Sequence, residues 1–402
     1  MRVLVFTGKG GTGKTTVAAA TACVAASSGM STLVVSTDPA HSLGDAFGAT
    51  IGDQPTELDR NLWARQVDPV SRVERDWGLL RDEISALLDW AGASSLEAEE
   101  MAILPGVDEI FALLDLVEYD DEGRYDLIVI DAAPTAETLR LLALPEVARW
   151  WMSYVWPVGR GLAKIVRPVV GRISSMPIAS EEALDAAEGL FDKLMRAHAI
   201  LSDPDRSSIR LVFNPEKVVL AETKRTYTYL CLFGYCVDAV VANKVLGAGD
   251  RDWRAQGSSS VEENFAESLV SAWIRRQSVW LTQAEMDFKG LAMLYSPYFF
   301  EEPVGLEALR RLGEQIYREV SPCEKLAARE PLSITENGDG ALLQLYLPLA
   351  SKENVSVMRK GRELYVRVDN QTRNVHLPHS LARRKVKSAR YRDSTLSLLF
   401  ED

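Results

Sequence analysis

Over most of its length the chain alternates short apolar runs with longer amphipathic or small-residue stretches. Val3–Phe6, Thr32–Ser36, Leu62–Val67, Tyr125–Asp131, Ile209–Phe213, Asp238–Asn243 and Leu291–Ser296 are nearly continuous in apolar character. That texture suits strands buried on both faces. Between them, Val17–Ala26 is alanine-rich, and residues 216–233 and Val304–Val320 suit helices, as does a long stretch before Leu291. Within 70–117, Val73, Trp77, Leu80, Ile84, Leu87 and Leu88 recur at helical spacing, and Ile103-Leu104-Pro105-Gly106 interrupts before Val107–Leu116. Ser180, followed by Glu181 and Glu182, marks a helix start. Strands alternating with helices predict an α/β fold with a doubly wound, mostly parallel sheet.

The pattern changes near the C-terminus. Leu342–Leu347, Val355–Met358, Glu363–Val368, Asn374–Leu377, Lys385–Tyr391 and Thr395–Phe400 alternate with a period of two, and turns fall at Lys360-Gly361 and Asp369-Asn370. A small all-β sandwich is expected over 341–402. Ser321-Pro322 and Asn337-Gly338-Asp339-Gly340 make 323–340 a linker and leave 1–322 as the α/β domain. Residues 70–117 and 144–202 would form a helical subdomain. In the second of these, Trp150, Trp151, Tyr154 and Trp156 lie among Arg160, Lys164, Arg167 and Arg172. Val147, Trp151, Val155, Val158, Leu162, Ile165 and Val169 would line one helical stripe, although Pro157 and Pro168 divide it. Trp150, Trp151, Val155 and Leu162 fit either a groove for an apolar partner or a core or dimer interface.

The 402 residues carry a net charge of -12. Residues 331–402 hold 12 basic and 8 acidic side chains, which leaves 33 and 49 to the remainder. An acidic body argues against nucleic acid as a partner. The four cysteines form no C-x-x-C pair, and no apolar run is long enough for a membrane span. A reducing cytoplasm is the expected compartment.

Candidate chemistry begins at the first strand. Gly8, Gly13, Lys14 and Thr15 satisfy G-x-x-x-x-G-K-[ST] between a strand and a helix, the context in which this motif cradles phosphates. Gly10, Gly11, Thr12 and Thr16 complete the loop. Glycines allow backbone N–H groups to curl around phosphate oxygens, and the following helix adds its positive end. Lys14 is expected by the β- and γ-phosphates, and the Thr15 hydroxyl on Mg²⁺. Asp38 and Asp45 follow the second strand, where metal and water ligands belong, although capping or turn formation is the commoner role of loop aspartates. Asp131 ends an apolar strand, the position of a carboxylate that holds Mg²⁺ through water.

Lys9, a second lysine inside the loop, makes it resemble the deviant Walker A loop of the dimeric MinD, nitrogenase iron protein, ParA and ArsA ATPases. Ser36–Phe47 resembles the first switch of the ArsA-type ATPases, which include the eukaryotic factor that delivers tail-anchored membrane proteins. The resemblance implies that Asp45 orients the attacking water, that Asp38 supports Mg²⁺ through its water shell, and that Lys9 acts on a partner subunit's nucleotide. Ala132–Arg140 is similar to the second switch, with Ala136 and Glu137 where many members have Gly and His. Asn243 resembles the adenine-reading Asn, Pro297-Tyr298 the segment that closes over the base, and Glu222 a helix facing the partner's nucleotide. The sandwich resembles the α-crystallin domain of small heat-shock proteins. It and Ile103–Ile110 look like a bacterial and plastid subgroup.

These resemblances imply a homodimeric, Mg²⁺-dependent ATPase, binding ATP and ADP, in the cytoplasm, or in the plastid stroma for a plant source. Opening and closing would control a hydrophobic client segment, a tail-anchored membrane protein being the candidate, and a membrane receptor would be a further partner. The eukaryotic factors clamp their dimer with zinc through a C-x-x-C that this chain lacks, so no zinc is expected. The alternative is the energising subunit of an arsenite efflux pump.

Overall fold

The computed structural model describes residues 1–37, 42–67, 107–132, 181–247, 265–318, 320–327, 329–337 and 340–401. The expected helices over 70–106, the helical stretch before residue 181 and all but Gly247 of the Gly- and Ser-rich stretch 247–260 lie outside them. An eight-stranded sheet contains β1 (Arg2–Thr7), β2 (Thr32–Ser36), β3 (Thr56–Asp59), β4 (Leu62–Gln66), β5 (Leu127–Asp131), β6 (Ser207–Phe213), β7 (Val237–Val245) and β8 (Ala292–Pro297). Its order is β3-β4-β2-β5-β1-β6-β7-β8. All neighbours are parallel except β3 on β4.

Both faces are covered, as the continuous apolar runs require. On one face lie α1 (Lys14–Ser27), α2 (Ser42–Phe47) and α7 (Leu306–Tyr317). On the other lie α3 (Val107–Glu122), α4 (Glu181–Ser202), α5 (Lys217–Leu232) and α6 (Phe265–Asp287). The small residues of α1 permit close packing against α7. A Cβ on Gly313 would meet the Ala20 carbonyl oxygen at 2.4 Å, so α7 needs glycine there.

The C-terminal sandwich pairs a sheet ordered β14-β15-β10-β9 with a sheet ordered β11-β12-β13. The first contains β9 (Leu332–Asn337), β10 (Gly340–Tyr346), β14 (Lys385–Arg392) and β15 (Thr395–Glu401), and the second β11 (Val355–Lys360), β12 (Glu363–Val368) and β13 (Gln371–His376). A short helix, α8 (His379–Ala382), precedes β14. Along β10 and β15 every second residue is buried, so Leu343, Leu345, Leu396 and Leu398 meet the facing Leu364 and Val366.

The stretch expected to be a linker, 323–340, holds strand β9 in its second half, paired antiparallel with β10. Its first half is tied to the large sheet: the Glu324 carbonyl accepts from Arg2 and Arg210, and Leu326 N donates to Asp238 at 3.2 Å. The sandwich also sits on α5. Leu232 belongs to its core, Thr228 Oγ1 donates to the Pro348 carbonyl at 2.6 Å, Tyr229 OH to Asn370 Oδ1 at 3.1 Å, and Arg373 to the Leu232 carbonyl at 2.8 Å.

Candidate nucleotide site

The loop between β1 and α1 lies at the carboxyl end of the central strand, where doubly wound sheets bind ligands. Two of its glycines, Gly8 and Gly13, are required by close approach. A Cβ on Gly8 would meet the Val212 carbonyl oxygen at 2.2 Å, and one on Gly13 would meet Asn243 Nδ2 at 2.3 Å. Gly13 caps α1 at φ 86°, a left-handed value that favours glycine. Thr12 folds the loop by donating to the Lys9 carbonyl from its N (3.3 Å) and Oγ1 (2.8 Å).

Parallel register brings the acidic and hydroxyl groups to this end. Asp131 pairs in register with Phe6 of β1 and with Ser36 of β2. The Asp131 carboxylate is buried and accepts from Ser36 Oγ at 3.1 Å. Thr15 Oγ1 is 3.2 Å from Ser42 Oγ, which joins the start of α1 to the start of α2. One turn further along α2, Asp45 is exposed to a cavity of about 640 Å³. Gly11, Gly13, Lys14, Thr15, Thr16 and Ser42 form one side of that cavity.

The opposite wall follows from β7 and β8 being neighbours. Val245 pairs with Pro297, and Tyr298 N donates to the Val245 carbonyl at 2.9 Å. Asn243 and Pro297 therefore both line the cavity, with Tyr298, Phe299 and Phe300 along its rim. Phe300 is 94% exposed, its ring edge-on to Tyr298 at 6.0 Å. Asn243 Nδ2 donates to the Thr12 carbonyl at 2.7 Å, which braces the phosphate loop and leaves Oδ1 as the atom that could accept from an amino group on a base. Gly305 N donates to the Ala46 carbonyl at 2.9 Å, so the segment that follows β8 is joined to α2.

Lys9 stands off the wall. Its ammonium lies 3.1 Å from Glu222 Oε2 on α5. Sequence reasoning gave both residues a direction towards a second subunit and missed this pairing within one chain. It also missed Ser42, Lys244 and Phe300 at the cavity. Ser42 could have been found from its place in the switch stretch, and Lys244, at a left-handed φ of 57°, follows Asn243 directly. Asp38, Trp150, Trp151, Val155 and Leu162 lie outside the described residues.

The residues present fit a nucleotide and Mg²⁺. A loop with no room for a Cβ at Gly8 or Gly13, a lysine and a threonine opening a helix, and a buried carboxylate beside them suit a phosphate and a cation. The volume lies within the range of small-molecule sites. The cysteines are remote from this chemistry. Cys23, Cys231 and Cys236 are buried and Cys323 is half-buried. Burial pushes the Cys236 thiol up to about 11, the Cys23 thiol to about 12 and that of Cys231 well above its ordinary value. Among the described residues no helix is long and apolar enough to cross a membrane.

Residues 1–318 match the anion-transporting ATPase family, ArsA, and residues 338–400 match the HSP20-like domain found in ArsA. The chain is 37% identical over 407 aligned residues to a protein of Prosthecochloris vibrioformis named "Putative arsenical pump-driving ATPase", covering all of this chain and 96% of the relative. It is 35% identical to the "Putative arsenical pump-driving ATPase 1" of Aquifex aeolicus, covering 95% of each. To "ATPase ASNA1 homolog 1" of Paramecium tetraurelia it is 28% identical, across 71% of this chain and 87% of the relative.

Proposed function

The chain belongs to the ArsA family of anion-transporting ATPases, and from that premise we propose that it is a homodimer in which each subunit's nucleotide is completed by Lys9 of the other. ATP hydrolysis is the activity of the family. The observation that carries the dimer is the direction of Lys9: Lys14 lines its own cavity, whereas the Lys9 ammonium points to α5. A lysine so placed can reach phosphates brought against that surface by a second copy.

In each site Gly8–Thr16 cradles the polyphosphate, and Lys14 neutralises its β- and γ-oxygens. Thr15, Asp131 and, in the switch loop, Asp38 would hold Mg²⁺, the carboxylates through water. When bound, the ion would offset charge on the phosphate oxygens. Asp45 orients the attacking water and takes up its proton, and Asn243 and Pro297 hold the base. The work is positioning and electrostatics. Closure would move α2, and with it the segment after β8 that is hydrogen-bonded at Ala46.

We further propose that this motion controls a hydrophobic client segment, such as a tail-anchored membrane protein delivered to a membrane receptor, with Trp150, Trp151, Val155 and Leu162 on the client groove. The compartment that suits the free cysteines is the cytoplasm, and no zinc joins the subunits. The second reading is an energising subunit for arsenical efflux, which the names of the bacterial relatives favour. Against a metalloid site on this chain, three of the four thiols are buried.

One experiment separates the two. ATPase activity is measured with arsenite and with a detergent-free hydrophobic helix, and capture of that helix is measured for wild type and Trp151→Asp. The client reading expects capture to fall at least tenfold in Trp151→Asp with basal ATPase and melting unchanged, and arsenite to have no effect. Arsenite stimulation, or undiminished capture by a folded Trp151→Asp chain, contradicts it.

A further inference from the structure

The pairing of Lys9 with Glu222 joins a movable cation to a fixed anion. Lys9 precedes Gly10 and Gly11, and a Cβ built on either of them would meet open space. The Lys9 carbonyl is held by Thr12, so the turn of the loop stays closed wherever the side chain goes. Glu222 stands on α5, whose later turns are pinned to the sandwich by Thr228, Tyr229 and Arg373. A Cβ on Gly234, just beyond that helix, would meet the Arg373 guanidinium at 2.9 Å. The sandwich is thus packed tightly against the end of the helix that presents the carboxylate.

We propose that Glu222 is a positioning residue for Lys9, holding its ammonium on its own subunit until a partner's nucleotide takes it over. The proposal rests on the trans action of Lys9 given above. The Lys9 and Glu222 side chains are 39% and 29% exposed, and an ion pair so open to water holds weakly. The polyphosphate of a partner's site carries more negative charge and, once an interface closes around it, less screening water. Transfer of the ammonium from carboxylate to phosphate is therefore favourable only when both the partner and its nucleotide are present. No bond is made or broken; the lysine exchanges one counter-charge for another. The sandwich contributes by fixing the position from which Lys9 departs.

The test uses the full chain with Asp45→Asn in every sample, so that ATP persists, and reads ATP-dependent dimerisation by sedimentation. Glu222→Gln keeps the shape and removes the charge. Each subunit gives up one exposed ion pair, about two- to five-fold, so in the symmetric dimer ATP-dependent dimerisation is expected to tighten by the square of that, about four- to twenty-five-fold. Glu222→Asp, which retains the charge, is expected to return most of the way to wild type. In a Lys9→Ala background Glu222→Gln is expected to change nothing, and at about 1 M salt, where the Debye length is about 3 Å, the gain is expected to shrink. Weaker dimerisation in Glu222→Gln would show the carboxylate serving the nucleotide directly and would overturn the proposal. So would an equal change in the Lys9→Ala background, or no change at all. Failure of the trans reading itself has a different signature, since mixed dimers of Lys9→Ala and Asp45→Asn chains would then recover no activity whatever Glu222 does.

Discussion

Arg210 in the middle of β6 and Asp238 at the start of β7 face each other fully buried, 3.1 Å apart. Arg210 also donates to Tyr317 OH at 3.1 Å, Tyr317 OH is 2.7 Å from Thr21 Oγ1, and Arg2 approaches Asp238 at 3.6 Å. At the carboxyl ends of the same sheet, Lys9 and Asp45 stand part-exposed or exposed in or beside an open cavity. The first set of charges is fixed by every neighbour. Burial disfavours the Arg210 cation, but Tyr317 and Asp238 outweigh it and hold the group above its ordinary value. The second set is open to solvent. One sheet thus carries a fully buried ionic network and an exposed one, and the proposed function asks only the exposed one to rearrange.

Each variant below should disturb one end and spare the other. The largest effect is expected at Asp45. Asp45→Asn should lower ATP turnover about 100-fold or more, as loss of a proton-accepting group does, while ATP affinity stays within a few-fold and the melting temperature is unchanged. Parallel loss of binding would make Asp45 a structural group. At the other end, Asp238→Ala leaves Arg210 buried without its carboxylate and should cost about 3–5 kcal/mol of stability in denaturant unfolding. ATP affinity of the folded fraction should not move, because Asp238 does not line the cavity. A near-neutral Asp238→Ala would show that the buried network is dispensable. Smaller still, Arg373→Ala removes the donor to the Leu232 carbonyl and should cost about 1–3 kcal/mol, read as faster amide exchange in α5 and β13 with nucleotide binding kept.

How legible these regions were depends on how each buries its chain. β1, β2, β5 and β6 are buried on both faces, so their apolar runs stand out in the sequence. β3 escaped because Thr56–Asp59 is a polar edge strand with alternating exposure. β9 escaped because the Asn337-Gly338-Asp339-Gly340 signal reads as a linker, whereas Asn337 ends β9 and Gly340 begins the β10 that pairs with it. Alternation in β10 and β15 identified the sandwich, but nothing local to Leu232 or Arg373 tells that helix α5 serves both cores. Within the site, Gly8, Gly13, Lys14 and Thr15 were read from the motif alone. The Lys9–Glu222 and Asn243–Thr12 contacts join residues far apart in sequence, and only the fold brings them together.

The central claim is that Lys9 works across a subunit boundary, and mixing two inactive chains tests it most directly. Lys9→Ala alone and Asp45→Asn alone should each bind ATP and hydrolyse it poorly. In a mixed dimer the site that keeps Asp45 belongs to the Lys9→Ala chain and receives an intact Lys9 from its partner. Equimolar mixing should therefore restore up to about a quarter of wild-type turnover, with half the dimers mixed and one good site in each. With subunit exchange demonstrated by labelled chains, turnover no higher than that of the separate variants would contradict the account.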